Sequence, residues 1–182
     1  MSTTATAGIM GTGLGGVLRM TWMQDGLQHV LDHGDTDEPS GTWTGQACPD
    51  HRLALGSDVD NATLARMCAQ GEIADIIWEA PEDFTTEHRH AFEAALDAHY
   101  AGTSKTAQLM WHELQTIWSR AWSANCAALQ LLQDAGLTRF SPVKPQRWVI
   151  ASFEHHCSPH GLLHPHVHNI IITRLTAGVR VG

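Results

Sequence analysis

Tyrosine is almost missing from this 182-residue chain: Tyr100 is the single one, so any chemistry that needs a phenolic hydroxyl rests on that residue. Cationic side chains are scarce as well. Lys and Arg total 11 against 19 Asp and Glu, a formal net charge of -8, which counts against holding nucleic acid by bulk phosphate neutralisation. No apolar run is long enough to span a bilayer, and no basic-then-apolar signal segment opens the chain, so a cytoplasmic protein with no membrane partner is expected. The four cysteines, Cys48, Cys68, Cys126 and Cys157, form no Cys-x-x-Cys pair, which argues against a disulfide framework or a zinc ribbon. With 43 % hydrophobic residues the chain has material for one globular core.

Histidine is what the chain has in quantity. Six of the 13 histidines fall between Phe153 and Ile172, and the β-branched run Ile170-Ile171-Ile172-Thr173 predicts a buried strand from His166 to Leu175. Alternation along a strand puts His166 and His168 on one face, close enough for both imidazoles to reach one ion. Arg147 to Phe153 reads as a second strand ending at Glu154-His155, and the Pro- and Gly-containing link from Ser158 to Pro165 lets the chain return. Antiparallel pairing would set His155 beside the other two. Three neutral imidazoles with open coordination positions suit a catalytic metal site rather than a closed structural one. The overall negative charge is also unevenly spread: from Arg139 onward Arg139, Lys144, Arg147, Arg174 and Arg180 face only Glu154, so the histidines stand on a basic background. Lys144, Arg147 and Arg174 are candidate phosphate contacts.

Elsewhere the reading is plainer. Residues 1–20 are small, polar and glycine-rich and are expected to be a flexible start. Gly11-x-Gly13-x-x-Gly16 formally fits a dinucleotide fingerprint but lacks the strand and acidic residue that give it meaning. Trp22 to His33 predicts a short helix, followed by an exposed loop from Asp35 to Gly41. Asp60 or Asn61 caps a helix running to about Gln70, with Gly71 as its left-handed stop. Ile73 to Trp78 is a short apolar strand or buried turn closed by Pro81. Helices are predicted over Glu87 to Tyr100 and Thr106 to Ala135, and the aromatic stripe Trp111, Trp118, Trp122 reads as core rather than as a base-stacking platform.

Phe-Glu-His155, followed after a short interval by Pro-His166-x-His168, a polar residue and a β-branched run, resembles the three-histidine motif of the F-type conjugative relaxases, members of the HUH endonucleases. The order Trp43-x-Gly45, Leu55-Gly56, Val59-Asp60 and a short helix closing on Gly71 is similar to the segment after the catalytic tyrosines of that family. The resemblance implies an α+β domain over residues 21–182, an antiparallel sheet flanked by helices. It also implies a divalent cation, Mg or Mn with Zn or Ni as alternatives, held by His155, His166 and His168, with Asn169 orienting one ligand. The implied partner is single-stranded DNA at an origin-of-transfer-like site, together with other transfer or mobilisation proteins.

Two positions depart from the family. Its tyrosines, expected near Gln28 to His33, are absent, which leaves three readings: Tyr100 as a nucleophile approaching from a helix, metal-dependent DNA binding or hydrolysis by activated water, or a divergent relaxase shorter than complete relaxase domains. Ser104-Lys105-Thr106 distantly matches the family's Pro-Lys-Ser segment, which follows a strand bearing an aspartate, and carrying that over nominates Asp97. Two other function classes stay open. His164-x-His166-x-His168 loosely fits the histidine-triad nucleotide hydrolases, although Pro165 and Asn169 suit them poorly and His155 would have no role. A non-catalytic metal-binding module is the third.

Overall fold

The computed structural model of the chain describes residues 4–8, 17–22, 41–135, 147–157 and 163–173. Its strands are β1 (Thr4–Gly8), β2 (Val17–Trp22), β3 (Thr42–Trp43), β4 (Glu72–Glu79), β5 (Val149–Cys157) and β6 (Leu163–Thr173), and its helices α1 (Asn61–Cys68), α2 (Glu82–Tyr100) and α3 (Ser104–Ala135). The six strands form one sheet in the order β1-β2-β4-β6-β5-β3, and every neighbouring pair is antiparallel. This is an α+β fold with helices on both faces.

Covering both faces explains why the central strands read as unbroken apolar runs. On one face Ala74, Ile76, Trp78, Ile150, Val167 and Ile171 pack beneath Phe84 of α2 and Ile117, Trp118, Ala121, Ala128 and Leu132 of α3. On the other, Ile73, Val149, Ala151, Phe153, Ile170 and Ile172 pack against Trp43, Leu53, Val59 and, from α1, Leu64, Met67 and Cys68. Consecutive isoleucines in β6 therefore serve opposite layers. No helix among the described residues is long and apolar enough to cross a membrane.

Several boundaries differ from expectation. The flexible start expected over residues 1–20 contains two strands, and the division after residue 20 falls inside β2, which pairs with β4 from Val17↔Glu79 to Trp22↔Ala74. The glycine fingerprint at 11–16 and most of the helix predicted from Trp22 lie outside the described residues. α2 begins at Glu82, right after Pro81, with Glu82 and Asp83 in its first turn, where acidic groups complement the helix dipole. Asp60 caps α1 by accepting from the Thr63 amide at 2.8 Å. Gly71 is not its left-handed stop: α1 ends at Cys68 through Ala69 in a right-handed conformation, and the positive-φ glycines among the described residues are Gly56 and Gly102.

Gly45 is required for a different reason. The loop after β3 runs tight along β5, with the Thr44 amide donating to Ile150 O at 3.0 Å and the Ala47 amide to Trp148 O at 2.8 Å. A Cβ on residue 45 would sit 2.2 Å from Trp148 O and 2.5 Å from Ile150 N, atoms of a central strand that cannot yield. Gly45→Ala should therefore destabilise the chain by roughly 2–3 kcal/mol, read as a lowered urea midpoint at unchanged slope; an unshifted midpoint would contradict the close approach.

Candidate metal centre

The pairing of β5 with β6 sets the geometry. His155 is the Cα partner of His166, and Phe153 that of His168, so cross-strand neighbours and alternation place His155, His166 and His168 on one face. All three are buried. Their ring centres form a nearly equilateral triangle: 5.2 Å between His155 and His166, 5.0 Å between His155 and His168, and 5.1 Å between His166 and His168. Three imidazoles binding one ion at roughly 2.1 Å have ring centres about 5 Å apart, so the triangle has the dimensions of a cation site.

The distal nitrogens are tied down. His168 Nδ1 lies 2.7 Å from Asp75 Oδ2, and His166 Nδ1 lies 2.6 Å from His164 O. Both contacts select the tautomer in which Nδ1–H donates and Nε2 carries the lone pair, the arrangement of metal-ligating histidines. Burial above all lowers the His166 pKa; the hydrogen bond to His164 opposes this, His168 and His164 add to it, and the Glu79 carboxylate also opposes it. The net effect keeps this ring neutral, as a ligand must be. As the side chains stand, no group of three or more His, Cys, Asp or Glu among the described residues forms a ready metal cage. Ring spacing and donor grouping thus disagree. The ring centres have the spacing three imidazole ligands need, and turning His166 or His168 about Cβ–Cγ to aim Nε2 would come at the cost of their Nδ1 contacts.

Asp75 was missed from the sequence. It sits on β4, is 1 % exposed, and faces the site because its Cα partner Ile170 shares a face with His168. In the sequence it stood as a single acidic residue inside a short apolar segment closed by Pro81, and only the pairing of β4 with β6 sets it beside the histidines. Asp97, nominated through Ser104-Lys105-Thr106, is instead an exposed residue of α2.

Three further candidates lie elsewhere. Asn169, one residue out of phase with the histidines, faces the helices and pairs with Asn125 of α3. Tyr100 is 81 % exposed at the end of α2, on the layer behind the sheet. His88, earlier on α2, touches the Trp118 ring, whose indole donates to Glu154, and Tyr100 lies about 18 Å further along the helix axis. Arg147 pairs with Asp50 at 2.7 Å at the other end of β5, about 26 Å from His155. Lys144 and Arg174 lie outside the described residues. The tryptophan stripe is packing: Trp118 is buried, and Trp111 meets Phe92 edge-on at 5.9 Å. Glu154 also faces the helices, where burial raises its pKa against the opposing Trp118 hydrogen bond.

The model of the TrwC relaxase family matches residues 27–178. Among solved structures, the conjugative relaxase TrwC in complex with oriT DNA, metal-free, is similar with a TM-score of 0.54 at 13 % identity, over 88 % of this chain and 57 % of that one. The metal-bound complex gives 0.56 at 13 %, over 88 % and 58 %, and a copper-bound complex 0.52 at 12 %, over 97 % and 59 %. At such identities the likeness is one of fold, and the chain spans less than two thirds of the length of these relatives. No curated protein matches the chain.

Proposed function

The chain belongs to the TrwC relaxase family, and from that premise we propose that it handles single-stranded DNA at a three-histidine divalent-cation site, acting on the phosphodiester backbone in plasmid mobilisation or conjugative transfer. The observation that carries this reading is the triangle of ring centres 5.0 to 5.2 Å apart, with two of its Nδ1 atoms engaged. A ligand set of imidazoles alone accepts Mn, Zn or Ni. His155, His166 and His168 would hold the cation through Nε2, and Asp75 would fix the His168 ring. When bound, the cation supplies positive charge against the phosphate and polarises phosphorus. The buried walls around the rings exclude water and strengthen that field.

The solved TrwC complexes contain oriT DNA, which supports single-stranded DNA of that kind as the partner here. The family assignment sets aside the histidine-triad hydrolases. The remoteness of Tyr100 favours a second reading, cation-dependent binding without covalent attachment.

Fluorescence anisotropy with labelled single-stranded oligonucleotides tests the proposal. Affinity should rise at least tenfold when Mn²⁺ replaces EDTA, and duplex DNA should bind more weakly. Equal binding in EDTA and Mn²⁺ would sink it.

A further inference from the structure

We propose that His164 is a platform on which single-stranded DNA stacks a nucleobase, beside the phosphate held at the three-histidine site. The inference rests on the three-histidine reading and adds a contact with the base, which a cation on the phosphate does not supply.

A bulge in β6 sets this residue apart. β5 and β6 pair at His155↔His166 and again at Cys157↔Leu163, with a shift of register between them, so His164 and Pro165 together lie opposite His156 alone. Proline has no amide to give to a ladder and is at home in a bulge, and bulges re-aim side chains beside functional sites. Here Pro165 is buried and His164 exposed. The backbone that carries the ring is fixed at two points. Pro165 O accepts from the Ala80 amide at 3.2 Å, and His164 O lies 2.6 Å from His166 Nδ1.

The ring itself sits against the site. Its centre is 5.2 Å from that of His166, with the planes tilted by 38°, and His166 in turn stacks on His155 at 5.2 Å and 18°. Three rings follow one another, two buried and the last in solvent, at separations where aromatic rings attract. A base laid on His164 continues the series. An ion held by His166 Nε2 would lie about 3 Å from that ring's centre, which puts His164 within about 8 Å of the ion. The nucleotide whose phosphate the cation carries therefore passes this ring.

Stacking also suits the charge of the chain. At a net charge of -8, with Arg147 paired to Asp50 at the far end of β5, phosphate neutralisation contributes little. A base on an aromatic ring needs no positive charge from the protein.

Anisotropy in Mn²⁺ with two labelled probes of equal length tests the platform: oligothymidylate, and an abasic strand with the same phosphates and no bases. His164→Ala should weaken oligothymidylate about tenfold, near the low end of what one stacked base contributes. The abasic strand should lose less than about twofold, and Mn²⁺ affinity by calorimetry should also stay within about twofold, because the backbone oxygen that engages His166 remains. His164→Phe, which stacks but neither ligates nor hydrogen-bonds, should keep oligothymidylate within about threefold of wild type. An undiminished oligothymidylate affinity in His164→Ala, an equal loss on both strands, a parallel fall in Mn²⁺ affinity, or a His164→Phe as weak as His164→Ala would overturn the assignment. Wild type that binds the abasic strand as tightly as oligothymidylate overturns the platform alone. Wild type that binds no cation, or neither strand, removes the three-histidine reading with it.

Discussion

His166→Ala should lower Mn²⁺ affinity several hundredfold and leave the metal-free chain nearly as stable as wild type. Structural zinc sites bind with about 10–16 kcal/mol spread over four ligands, so one ligand of a comparable site accounts for roughly 3 kcal/mol, a factor of a few hundred. The fold is spared because the Nδ1 partner of His166 is only the backbone oxygen of His164, on an exposed residue that water can serve instead. His168→Ala should behave differently. Its ring holds Oδ2 of Asp75, a carboxylate that is 1 % exposed, and removing one partner of a buried pair typically destabilises by about 3–5 kcal/mol. Both variants lose the cation, but only His168→Ala should also show a large fall in the urea midpoint. Asp75→Asn completes the series: altering the partner of a ligand weakens metal binding roughly 10–100-fold, less than deleting a ligand. Calorimetry with Mn²⁺ and urea unfolding in EDTA read the two effects separately. Equal Mn²⁺ affinity in wild type and His166→Ala would mean that the ring triangle is packing without a cation.

The grouping of the three histidine rings was legible because it follows from two local rules, alternation along β6 and return of the chain beside β5. The core was legible for a similar reason, since Trp118 and Ile170 to Ile172 carry their burial in their own sequence neighbourhood. Long-range facts were harder to see. Nothing local in Val17 to Trp22 says that it pairs with β4, and a run rich in glycine on its N-terminal side disguised it. Asp75 looked like one acidic residue in a short apolar segment until β4 was laid against β6. The basic tally around the histidines failed for Arg147 because neighbours in sequence diverge along a strand, and Arg147 ends up at the far end of β5, paired with Asp50. Tyr100 was attractive only for being alone. Its place on α2 depends on how the helical layer stacks, which no spacing in the sequence encodes.

Asn169→Leu should be among the most destabilising single substitutions on the helix-facing side of the sheet, by roughly 3–5 kcal/mol, from leaving several buried groups unsatisfied at about 1–3 kcal/mol each. Its Nδ2 donates to Ile76 O and to Asn125 Oδ1, each at 2.9 Å, and its Oδ1 accepts from Ser152 Oγ at 2.7 Å and Asn125 Nδ2 at 3.1 Å. One side chain thus ties β6 to β4, β5 and α3 in a fully buried environment. Leucine copies its branched outline with bulkier methyl groups and answers none of these groups. Asn125→Leu alone should also be costly, because it strands Asn169, yet the double variant should recover part of the loss, with a coupling of about 1–3 kcal/mol. The expectation of Asn169 as an orienter of a metal ligand overlooked that a step of one residue reverses the face of a strand. The consequence is measurable: if Asn169 holds the layers together and does not steer an imidazole, Asn169→Leu lowers the urea midpoint strongly while Mn²⁺ affinity of the folded protein changes by less than about tenfold, the lower bound for removing a ligand's own partner. A fall in affinity matching that of Asp75→Asn would return Asn169 to the metal site.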